Sequence, residues 1–555
     1  MKKKIIDIVG VLVLITVIVL GLIFLYESKK SELFKNRAWL EKHISLKTSK
    51  ISNEVLIMDA PKDISAYNML YQSISNEVIN ATLKMNEYNI ENPLIIYNQY
   101  KTNKNSVNIY FNTEEEVEIK YTIKVDGYSN FTRTLKNYEN NKTHSYQLIG
   151  FVMGEENTLI LEATDKNNNV KTYTFKLDFT KYESGVQKKL KVNTKSDEKQ
   201  SDGLFTILGN DNSNGDTTYI YDNDGILRGE IPIIGYRTAR ILFDEEDIYM
   251  AASERRIVKI NNLGQVEEKY NLGRYKYHHD YVFDKDKNLL ILASDTKKDT
   301  CEDIIIRLNT KTGKVDKVLD LEDLFPELRE NAYYEEDEVN ENVESSGVDW
   351  MHINTIQYIE EEDSIILSSR ETSSIIKIKN PFDNPKIEYI IGEESFWKDY
   401  DEKQYLLEKI GDFTIQGGQH TVTYEETEED GVYYLYMFNN NMGVSTTVPD
   451  YDWEKEAGLK FTSPKNGKYS LYYKYKVNEK NKTFELINSF KVPFSGYVSS
   501  AQEKNGNIII DSGGKGIFSE YNNKGEIIKQ YKMNFEKFIY RVFKYDYTNL
   551  FQTEE

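Results

Sequence analysis

Cysteine is almost absent from this chain of 555 residues. Cys301 stands alone, so there is no intrachain disulfide and no zinc or iron–sulfur site built from several cysteines. Proline is also scarce, with nine residues, whereas tyrosine contributes 42. A composition rich in tyrosine and poor in proline favours strands over disorder. The length allows two or more domains, each with its own core.

Positive charge is in short supply as well. The formal net charge is −20 and the pI is about 5.0, so no basic stripe could displace the counterions of a nucleic acid. Nucleic acid is therefore excluded as a partner. The acidic residues are spread over turns and loops, which indicates a solvated surface. An anionic substrate would have to be held by locally placed cations, because the overall field repels it.

One long apolar run, residues 5–26, follows the three lysines 2–4. At about 1.5 Å rise per residue it matches a bilayer core about 30 Å thick. No cleavage site of small residues follows, which favours an uncleaved signal anchor within residues 1–30 over a removed signal peptide. Lysines flank both ends of the run, so the positive-inside count is nearly tied. We expect a single-pass protein of the cell membrane with its catalytic body outside the cytoplasm.

Hydrophobic periodicity divides the rest of the chain. Residues 31–90 carry apolar residues at three- and four-residue spacing, which predicts a partly helical stalk. The sequence leaves undecided whether two chains form a homodimer through this stalk. Residues 91–182 alternate between apolar and polar positions, which predicts a small β-sandwich domain. Residues 183–203 lack apolar periodicity and are typical of a linker.

From residue 204 to residue 555, sets of short strands recur at intervals of about 40 residues. Hairpin turns within the sets carry Gly264, Gly313 and Gly525, because glycine tolerates positive φ. Strand sets at this spacing are typical of propeller blades. Six sets can be counted, the first completed by the C-terminal strand. The predicted fold class is all-β: a six-bladed β-propeller preceded by a small β-sandwich domain and an N-terminal transmembrane helix.

Histidine is rare, with six residues, yet four of them occupy matching places. His278, His279, His352 and His420 stand just before the first apolar strand of three different sets. In a propeller the first strand of each blade lines the central channel, so these positions converge at one mouth. Any one of these histidines alone would more often be structural. The matching placement of the set predicts a functional site.

Converging imidazoles could do two things. Three of them could hold a metal ion, with Asp280 as a fourth or supporting ligand. They could instead bind an oxyanion, with one histidine acting as nucleophile or general acid and base. Arg370, at the end of the sequence ILSSR, favours the second reading, because a guanidinium repels a metal ion and forms a forked pair with sulfate or phosphate.

Two further observations bear on this anion site. Asn354 is two residues past His352, so it should share a strand face with it and add a neutral donor. Arg370 could alternatively form a turn salt bridge with Glu371 or Glu362. Oxyanion chemistry without a metal ion is the interpretation we adopt.

The segment DWMHINTIQY…DSIILSSRETSSIIKI resembles the signature of the bacterial arylsulfate sulfotransferases, which do not use 3'-phosphoadenosine phosphosulfate. The segments containing HHD and GGQH lie where that family has its other histidines. The resemblance extends over most of residues 90–545 and includes the run THSYQLIGFVMGEENTLILEATD in the small N-terminal domain. Two features depart from the family: its short disulfide loop cannot form, and an anchor replaces a cleaved signal.

The resemblance implies a channel histidine that is transiently sulfurylated, and His420 matches that nucleophile. His352, Asn354 and Arg370 match sulfate-binding residues. One histidine of the pair His278 and His279 matches another, and we favour His279. A sulfuryl group would then pass from a phenolic sulfate ester to a phenol by ping-pong kinetics. No cofactor is expected, and the chain has no G-x-x-x-x-G-K-[ST] loop for a nucleotide.

Other functions stay open at this point. The propeller could be a non-catalytic binding module at the cell surface, with the histidines as packing. It could also be a metal-dependent hydrolase or lyase, which a chelator would inhibit. Sulfatase activity toward water is a further alternative if the acceptor site is open.

Overall fold

The computed structural model describes residues 28–30, 32, 35–136, 142–210, 217–333 and 347–552. The signal anchor expected over residues 5–26 lies outside these ranges. Within them, no helix combines the length and the apolar character needed to cross a membrane. The prediction of an all-β chain is confirmed, since 35 strands dominate the described residues.

Two sheets form the N-terminal part. The first has five strands in the order β1 (Ser45–Thr48), β2 (Val55–Asp59), β3 (Leu94–Tyr97), β4 (Ser106–Asn112) and β7 (Thr143–Ile149). The second has the order β6 (Phe131–Thr134), β5 (Val117–Lys124), β8 (Glu156–Asp165) and β9 (Val170–Asp178). Ile109 of β4 and Tyr121 of β5 lie in one buried cluster, so the two sheets pack face to face. The first sheet is mixed, because β2 and β3 run parallel.

Within residues 31–90, the described residues from 35 onward belong to this folded body and do not form the separate stalk that the sequence predicted. Helices α1 (Arg37–Glu41) and α2 (Met69–Met85) are present, but β1 and β2 extend the first sheet. The apolar run of β2 pairs in register with β3, which buries both. The hydroxyl of Tyr71 on α2 donates to the Gln99 carbonyl at 2.8 Å, which links the helix to the segment that follows β3.

Six further sheets follow from residue 204, and we number them in chain order. Sheet 1 contains β11 (Leu204–Asn210), β12 (Thr217–Tyr221), β13 (Leu227–Pro232) and β35 (Ile539–Tyr545). Sheet 2 contains β14 (Ile241–Asp244), β15 (Asp247–Ser253), β16 (Arg256–Ile260) and β17 (Val266–Asn271). Sheet 3 contains β18 (Tyr275–Phe283), β19 (Leu289–Asp295), β20 (Ile304–Leu308) and β21 (Val315–Asp320).

The remaining three sheets complete the series. Sheet 4 contains β22 (Ile353–Ile359), β23 (Ser364–Ser369), β24 (Ser374–Lys379) and β25 (Lys386–Ile391). Sheet 5 contains β27 (His420–Glu426), β28 (Val432–Asn439), β29 (Ser470–Asn478), β30 (Thr483–Val492) and the short β26 (Glu408–Ile410). Sheet 6 contains β31 (Ser500–Lys504), β32 (Asn507–Ser512), β33 (Ile517–Tyr521), β34 (Ile527–Lys532) and β10 (Lys191–Thr194). Short helices α3 (Pro326–Glu330), α4 (Glu394–Trp397) and α5 (Trp453–Ala457) lie in the connections.

The ends of the chain are built into these sheets. β35 pairs antiparallel with β11, so sheet 1 combines strands more than 300 residues apart. β10 lies in the segment that the sequence predicted as a linker and pairs antiparallel with β34. The expected positive φ is found at Gly264, Gly313 and Gly525, at 81°, 71° and 80°.

A fully buried ion pair connects sheet 1 to sheet 6. Lys544 Nζ of β35 lies 2.9 Å from Glu520 Oε2 of β33, and neither side chain is exposed. Nζ also donates to the Ser201 carbonyl, while Glu520 Oε1 accepts from the Ser201 amide and hydroxyl. The cluster therefore joins the segment before β11, the last strand of the chain and sheet 6.

We predict that Lys544→Met lowers the free energy of unfolding by about 3 kcal/mol, because it leaves the Glu520 carboxylate buried without its cation. Urea denaturation of the full chain measures this change. As a control, Lys480→Met removes an exposed pair with Asp430, whose side chains are 62% and 93% exposed, and should cost no more than about 0.5 kcal/mol. Equal midpoints for Lys544→Met and the unmodified chain would contradict the prediction.

Candidate active site

The same backbone irregularity recurs at the start of three successive sheets. The first strands β18, β22 and β27 each shift register against the next strand near a histidine. A left-handed, non-glycine residue accompanies each shift: His279 (φ 49°), His352 (φ 48°) and Thr421 (φ 54°). Such conformations are costly and persist where the surrounding structure holds them. A bulge redirects side chains, so the three irregularities together aim the histidines at a common place.

His352 is an imidazole held by two carboxylates. Its Nδ1–H donates to Asp349 Oδ2 at 2.5 Å, and Nδ1 lies 2.8 Å from Glu302 Oε2. Burial and the charge of Arg370 lower the pKa of His352, but the two carboxylates outweigh them and raise it to about 9. His352 is therefore a cation at neutral pH.

Arg370 faces the other side of this ring. Its Nη1 lies 3.1 Å from His352 Nε2. The Nη1–H points at Nε2, which accepts this hydrogen bond when the ring is neutral; when His352 is protonated, Nε2 also carries a hydrogen and the two groups become adjacent cationic donors. Two adjacent cationic donors of this kind are chemically suited to bind an oxyanion placed beside them, which would relieve their repulsion.

The alternative salt bridge of Arg370 is also present in part. Its Nε and Nη2 donate to Glu371 Oε1 at 2.9 and 2.5 Å. Glu362 does not take part, since it pairs with Lys377. The two contacts with Glu371 leave Nη1 directed at His352. The salt bridge with Glu371 therefore holds the guanidinium against His352.

His279 and His278 have different surroundings. The His279 ring lies 4.6 Å from the His352 ring, and its Nδ1 lies 3.4 Å from Glu302 Oε2. His278 Nδ1 contacts His279 Nδ1 at 3.0 Å, while its Nε2 is buried without a hydrogen-bond partner. Burial lowers the pKa of both histidines, so both rings are neutral at pH 7. His279 is the one beside His352, and His278 lies behind it.

His420 is buried and neutral. The residue is only 2% exposed. Its Nδ1 contacts Asn440 Oδ1 at 2.8 Å and the Gly418 carbonyl at 3.1 Å. Burial lowers the pKa of His420 to about 3; the hydrogen bond to Asn440 opposes this, and nearby positive charges reinforce it. Those charges belong to His352, Arg541 and Arg370. The carbonyl of Gln419, the residue before His420, accepts from Asn354 Nδ2 at 2.8 Å, and Asn354 is two residues past His352.

Asn354 has a different contact from the one that the sequence predicted. Its Nδ2 donates to the Gln419 carbonyl at 2.8 Å, and its Oδ1 accepts from the Thr355 hydroxyl. The left-handed conformation of His352 breaks the strand alternation that would have put Asn354 and His352 on one face. Asn354 therefore holds the backbone next to His420, across the boundary between sheets 4 and 5.

Arg541 reaches this region from the far end of the chain. It is fully buried on β35, and its Nη2 donates to the Asn354 carbonyl at 2.6 Å. Its Nη1 lies 3.3 Å from Asp280 Oδ1, and Asp280 also binds the Arg240 guanidinium at 2.9 and 3.1 Å. Asp280 is thus committed to two arginines and does not serve as the metal ligand that the sequence allowed.

Sequence reasoning assigned no role to several residues of the site. Glu302 follows the lone cysteine, and nothing in its neighbourhood marks it. Asp349 lies inside the motif DWMH, three residues before His352. A carboxylate so close to a histidine could have indicated from the sequence that the two side chains interact. Asn440 and Arg541 are brought in from distant strands, so their roles depend on the fold.

Two groups in the described part of the chain meet the distance requirements for a metal ion. They are His278, His279 and Glu302, and Glu302, Asp349 and His352; the ligand atoms of each group lie within 4.8 Å of one another. In the second group the guanidinium of Arg370 is 3.1 Å from the histidine ring, which disfavours a second cation there. In the first group, Glu302 Oε2 lies 2.8 Å from Nδ1 of His352, whose raised pKa makes it a cation.

We predict that Glu302→Gln lowers the pKa of His352 below about 9, because it removes one of the two carboxylates that stabilise the imidazolium. The imidazolium then loses its proton at lower pH. A pH titration of histidine-labelled protein by NMR measures this shift. Glu322→Gln is the matched control, since Glu322 is 46% exposed and pairs with Lys298. An unchanged titration of His352 in Glu302→Gln would refute this account of its charge.

Comparison with known proteins identifies the family. The family model for arylsulfotransferase (ASST) matches residues 189–548, and that for the arylsulfotransferase Ig-like domain matches residues 94–180. No curated protein matches the chain.

Solved structures that resemble the chain do so distantly. They include a putative 6-phosphogluconolactonase from Bacteroides uniformis (9% identity, TM-score 0.32, covering 77% of this chain and 99% of that one). Another is a periplasmic gluconolactonase from Pseudomonas aeruginosa (6% identity, TM-score 0.31, covering 77% and 96%). At these TM-scores the likeness carries no argument. The family model alone spans more than half of the chain, and the chain therefore belongs to the arylsulfotransferase family.

Proposed function

We propose that this protein is an arylsulfate sulfotransferase that moves a sulfuryl group from a phenolic sulfate ester to a phenol through a sulfo-histidine at His420. The observation that carries the proposal is a buried, neutral His420 in the same region as His352 and Arg370, whose nitrogens Nε2 and Nη1 lie 3.1 Å apart. An imidazole must be unprotonated to act as a nucleophile, whereas an anion is bound by cations, and this region supplies both.

We propose further that the six sheets are the blades of a closed propeller. The contacts of Arg541 support this, because it belongs to sheet 1 and reaches Asp280 of sheet 3 and Asn354 of sheet 4. Such contacts are expected if the first strands of the sheets surround a common axis. The apolar run 5–26 supports a membrane anchor with the propeller outside the cytoplasm.

The first half-reaction starts with binding of the sulfate ester. Two of its sulfuryl oxygens accept hydrogen bonds from His352 Nε2–H and Arg370 Nη1–H, and His279 is placed to contact the group from the neighbouring strand. These donors are fixed before the substrate arrives, by Asp349, Glu302 and Glu371. Preorganised donors stabilise the charge that develops on the oxygens without reorganisation during the reaction.

Transfer to the enzyme then needs one bond made and one broken. The lone pair of His420 attacks sulfur, the bond between sulfur and the aryl oxygen breaks, and its electron pair leaves on that oxygen. The leaving phenolate has a conjugate acid with a pKa of about 10, so a proton donor assists it. His352 is the cationic acid beside the anion site and gives up this proton.

The second half-reaction reverses these steps on a new phenol. Neutral His352 accepts the phenolic proton as the acceptor oxygen attacks sulfur. The electron pair of the nitrogen–sulfur bond returns to His420, which restores both histidines. Donor and acceptor thus occupy one site in turn, which is the basis of ping-pong kinetics.

A metal-dependent hydrolase is the second candidate, because His278, His279 and Glu302 meet the distances for metal ligands. That reading uses His279 and Glu302 as ligands and leaves His420 without a role. Dialysis against EDTA separates the two: transfer activity should persist, and its loss together with recovery on adding Zn²⁺ would favour the hydrolase.

We predict that p-nitrophenyl sulfate adds about 80 Da, the mass of one sulfuryl group, to the intact protein. The adduct should be absent from His420→Ala and should disappear when phenol is added. Intact-mass analysis after rapid quenching measures both. A binding module would show no adduct, and an adduct that survives His420→Ala would exclude this histidine as the nucleophile.

We predict that kcat/KM for the aryl sulfate falls as the pH rises through about 9. His352 then loses the proton that binds the anion and assists the leaving group. His420 is neutral above its pKa of about 3, so no loss is expected between these limits. Glu302→Gln should move the alkaline limb to lower pH. A profile that keeps rising above pH 10 would contradict the role of His352.

A further inference from the structure

Asn440 is a buried side chain that the mechanism above does not use. It follows the last residue of β28 and is fully buried. Its Nδ2 donates to two carbonyl oxygens, those of Ser495 at 2.8 Å and Val498 at 3.1 Å. Since a carbonyl oxygen only accepts, these two contacts identify the amide nitrogen and fix which way the side chain points. Its oxygen must therefore face His420.

The ring of His420 consequently meets two acceptors at one nitrogen. Nδ1 contacts Asn440 Oδ1 at 2.8 Å and the Gly418 carbonyl at 3.1 Å. Neither oxygen can donate, so Nδ1 must carry the proton, and in the neutral ring the lone pair is then on Nε2. Among the residues that the structure describes, none forms a hydrogen bond with His420 Nε2.

We infer that Asn440 is a positioning residue that holds His420 as the Nδ1–H tautomer, so that the new bond to sulfur forms at Nε2. This inference rests on the proposed function for the identity of the electrophile. The assignment of the tautomer stands on the hydrogen bonds alone.

The same contacts favour the covalent intermediate. When the Nε2 lone pair bonds to sulfur and the aryl oxygen leaves with its electron pair, the ring becomes an N-sulfonated imidazolium. Nδ1 keeps its proton and donates it to Asn440 Oδ1 and the Gly418 carbonyl, which stabilise the positive charge. Transfer to the acceptor oxygen breaks the nitrogen–sulfur bond and returns the pair to Nε2. No proton enters or leaves Nδ1 in either step.

Asn440 also connects sheet 5 to the segment that precedes β31, through Ser495 and Val498. A merely structural role would consist of this connection. The two roles differ in what they affect: loss of the connection lowers stability, whereas loss of the contact with Nδ1 changes the tautomer and the basicity of His420.

The first test is the nitrogen NMR spectrum of the full-length chain with ¹⁵N-labelled histidine. The chain has six histidines, and the His420→Ala spectrum identifies the signals of His420. The expected result is a protonated Nδ1 and an unprotonated Nε2 at neutral pH. A protonated Nε2 would overturn the inference, whether or not the sulfo adduct forms.

The second test uses Asn440→Ala and Asn440→Asp. Asn440→Ala leaves only the Gly418 carbonyl at Nδ1, so a second tautomer should appear and kcat should fall about tenfold with little change in KM. Asn440→Asp places a carboxylate against Nδ1, which stabilises the protonated ring. Among the neighbouring groups, the cationic His352, Arg370 and Arg541 act against protonation of His420, whereas His279 is itself neutral. The acidic limb of kcat/KM should therefore move to higher pH by one pH unit or more.

Asn441→Asp is the matched control. Asn441 is the next residue, and its Nδ2 donates to the Tyr469 carbonyl at 3.3 Å and not to His420. This variant should leave the acidic limb and the His420 spectrum unchanged. If Asn440→Asp does not fold, the NMR spectrum of the unmodified chain and the kinetics and spectrum of Asn440→Ala still test the inference. Unchanged kinetics and an unchanged spectrum in Asn440→Ala would refute the inference, whereas absence of a sulfo adduct in the unmodified chain would refute only the proposed function.

Discussion

The site depends on the contact between the His352 imidazole and two carboxylates. Burial by itself would leave this ring neutral, as it does His278, His279 and His420. Asp349 and Glu302 reverse that outcome and hold a cation 3.1 Å from the Arg370 guanidinium. Because the chain has a net charge of −20, its overall field repels an anion, and only a local arrangement of cations such as this one can attract it.

The same region keeps a second imidazole uncharged. His420 is buried among positive charges, which oppose its protonation, and its Nδ1 is held by Asn440 and the Gly418 carbonyl. The cations proposed to bind the anion therefore also keep His420 unprotonated. Neighbouring titratable groups with opposite pKa shifts are a common property of catalytic sites. In this protein the difference comes from carboxylates at one ring and amide and carbonyl oxygens at the other.

Several features could be read from the residues, and others could not. The turn glycines, the strand sets and the matching histidines follow from local patterns, because positive φ and alternation are short-range properties. Asn354 was assigned a role in anion binding from strand alternation, and the left-handed His352 invalidates that step. The stalk expected over residues 31–90 contains β1, which pairs with β2, and β2, whose other partner β3 lies more than 30 residues further along the chain. Glu302 carried no signal, since its importance comes from contacts with two other strands.

By itself, the sequence determined the all-β class, the absence of disulfides, the poor fit to nucleic acid and the histidine and arginine types of the site. These properties depend on composition and on spacing along one strand. Tertiary structure decided the charge of His352, the tautomer of His420, the choice between His278 and His279 and the commitment of Asp280 to two arginines. The reason is physical: pKa values and hydrogen-bond partners depend on burial and on groups within about 4 to 6 Å, and most of those groups come from other sheets.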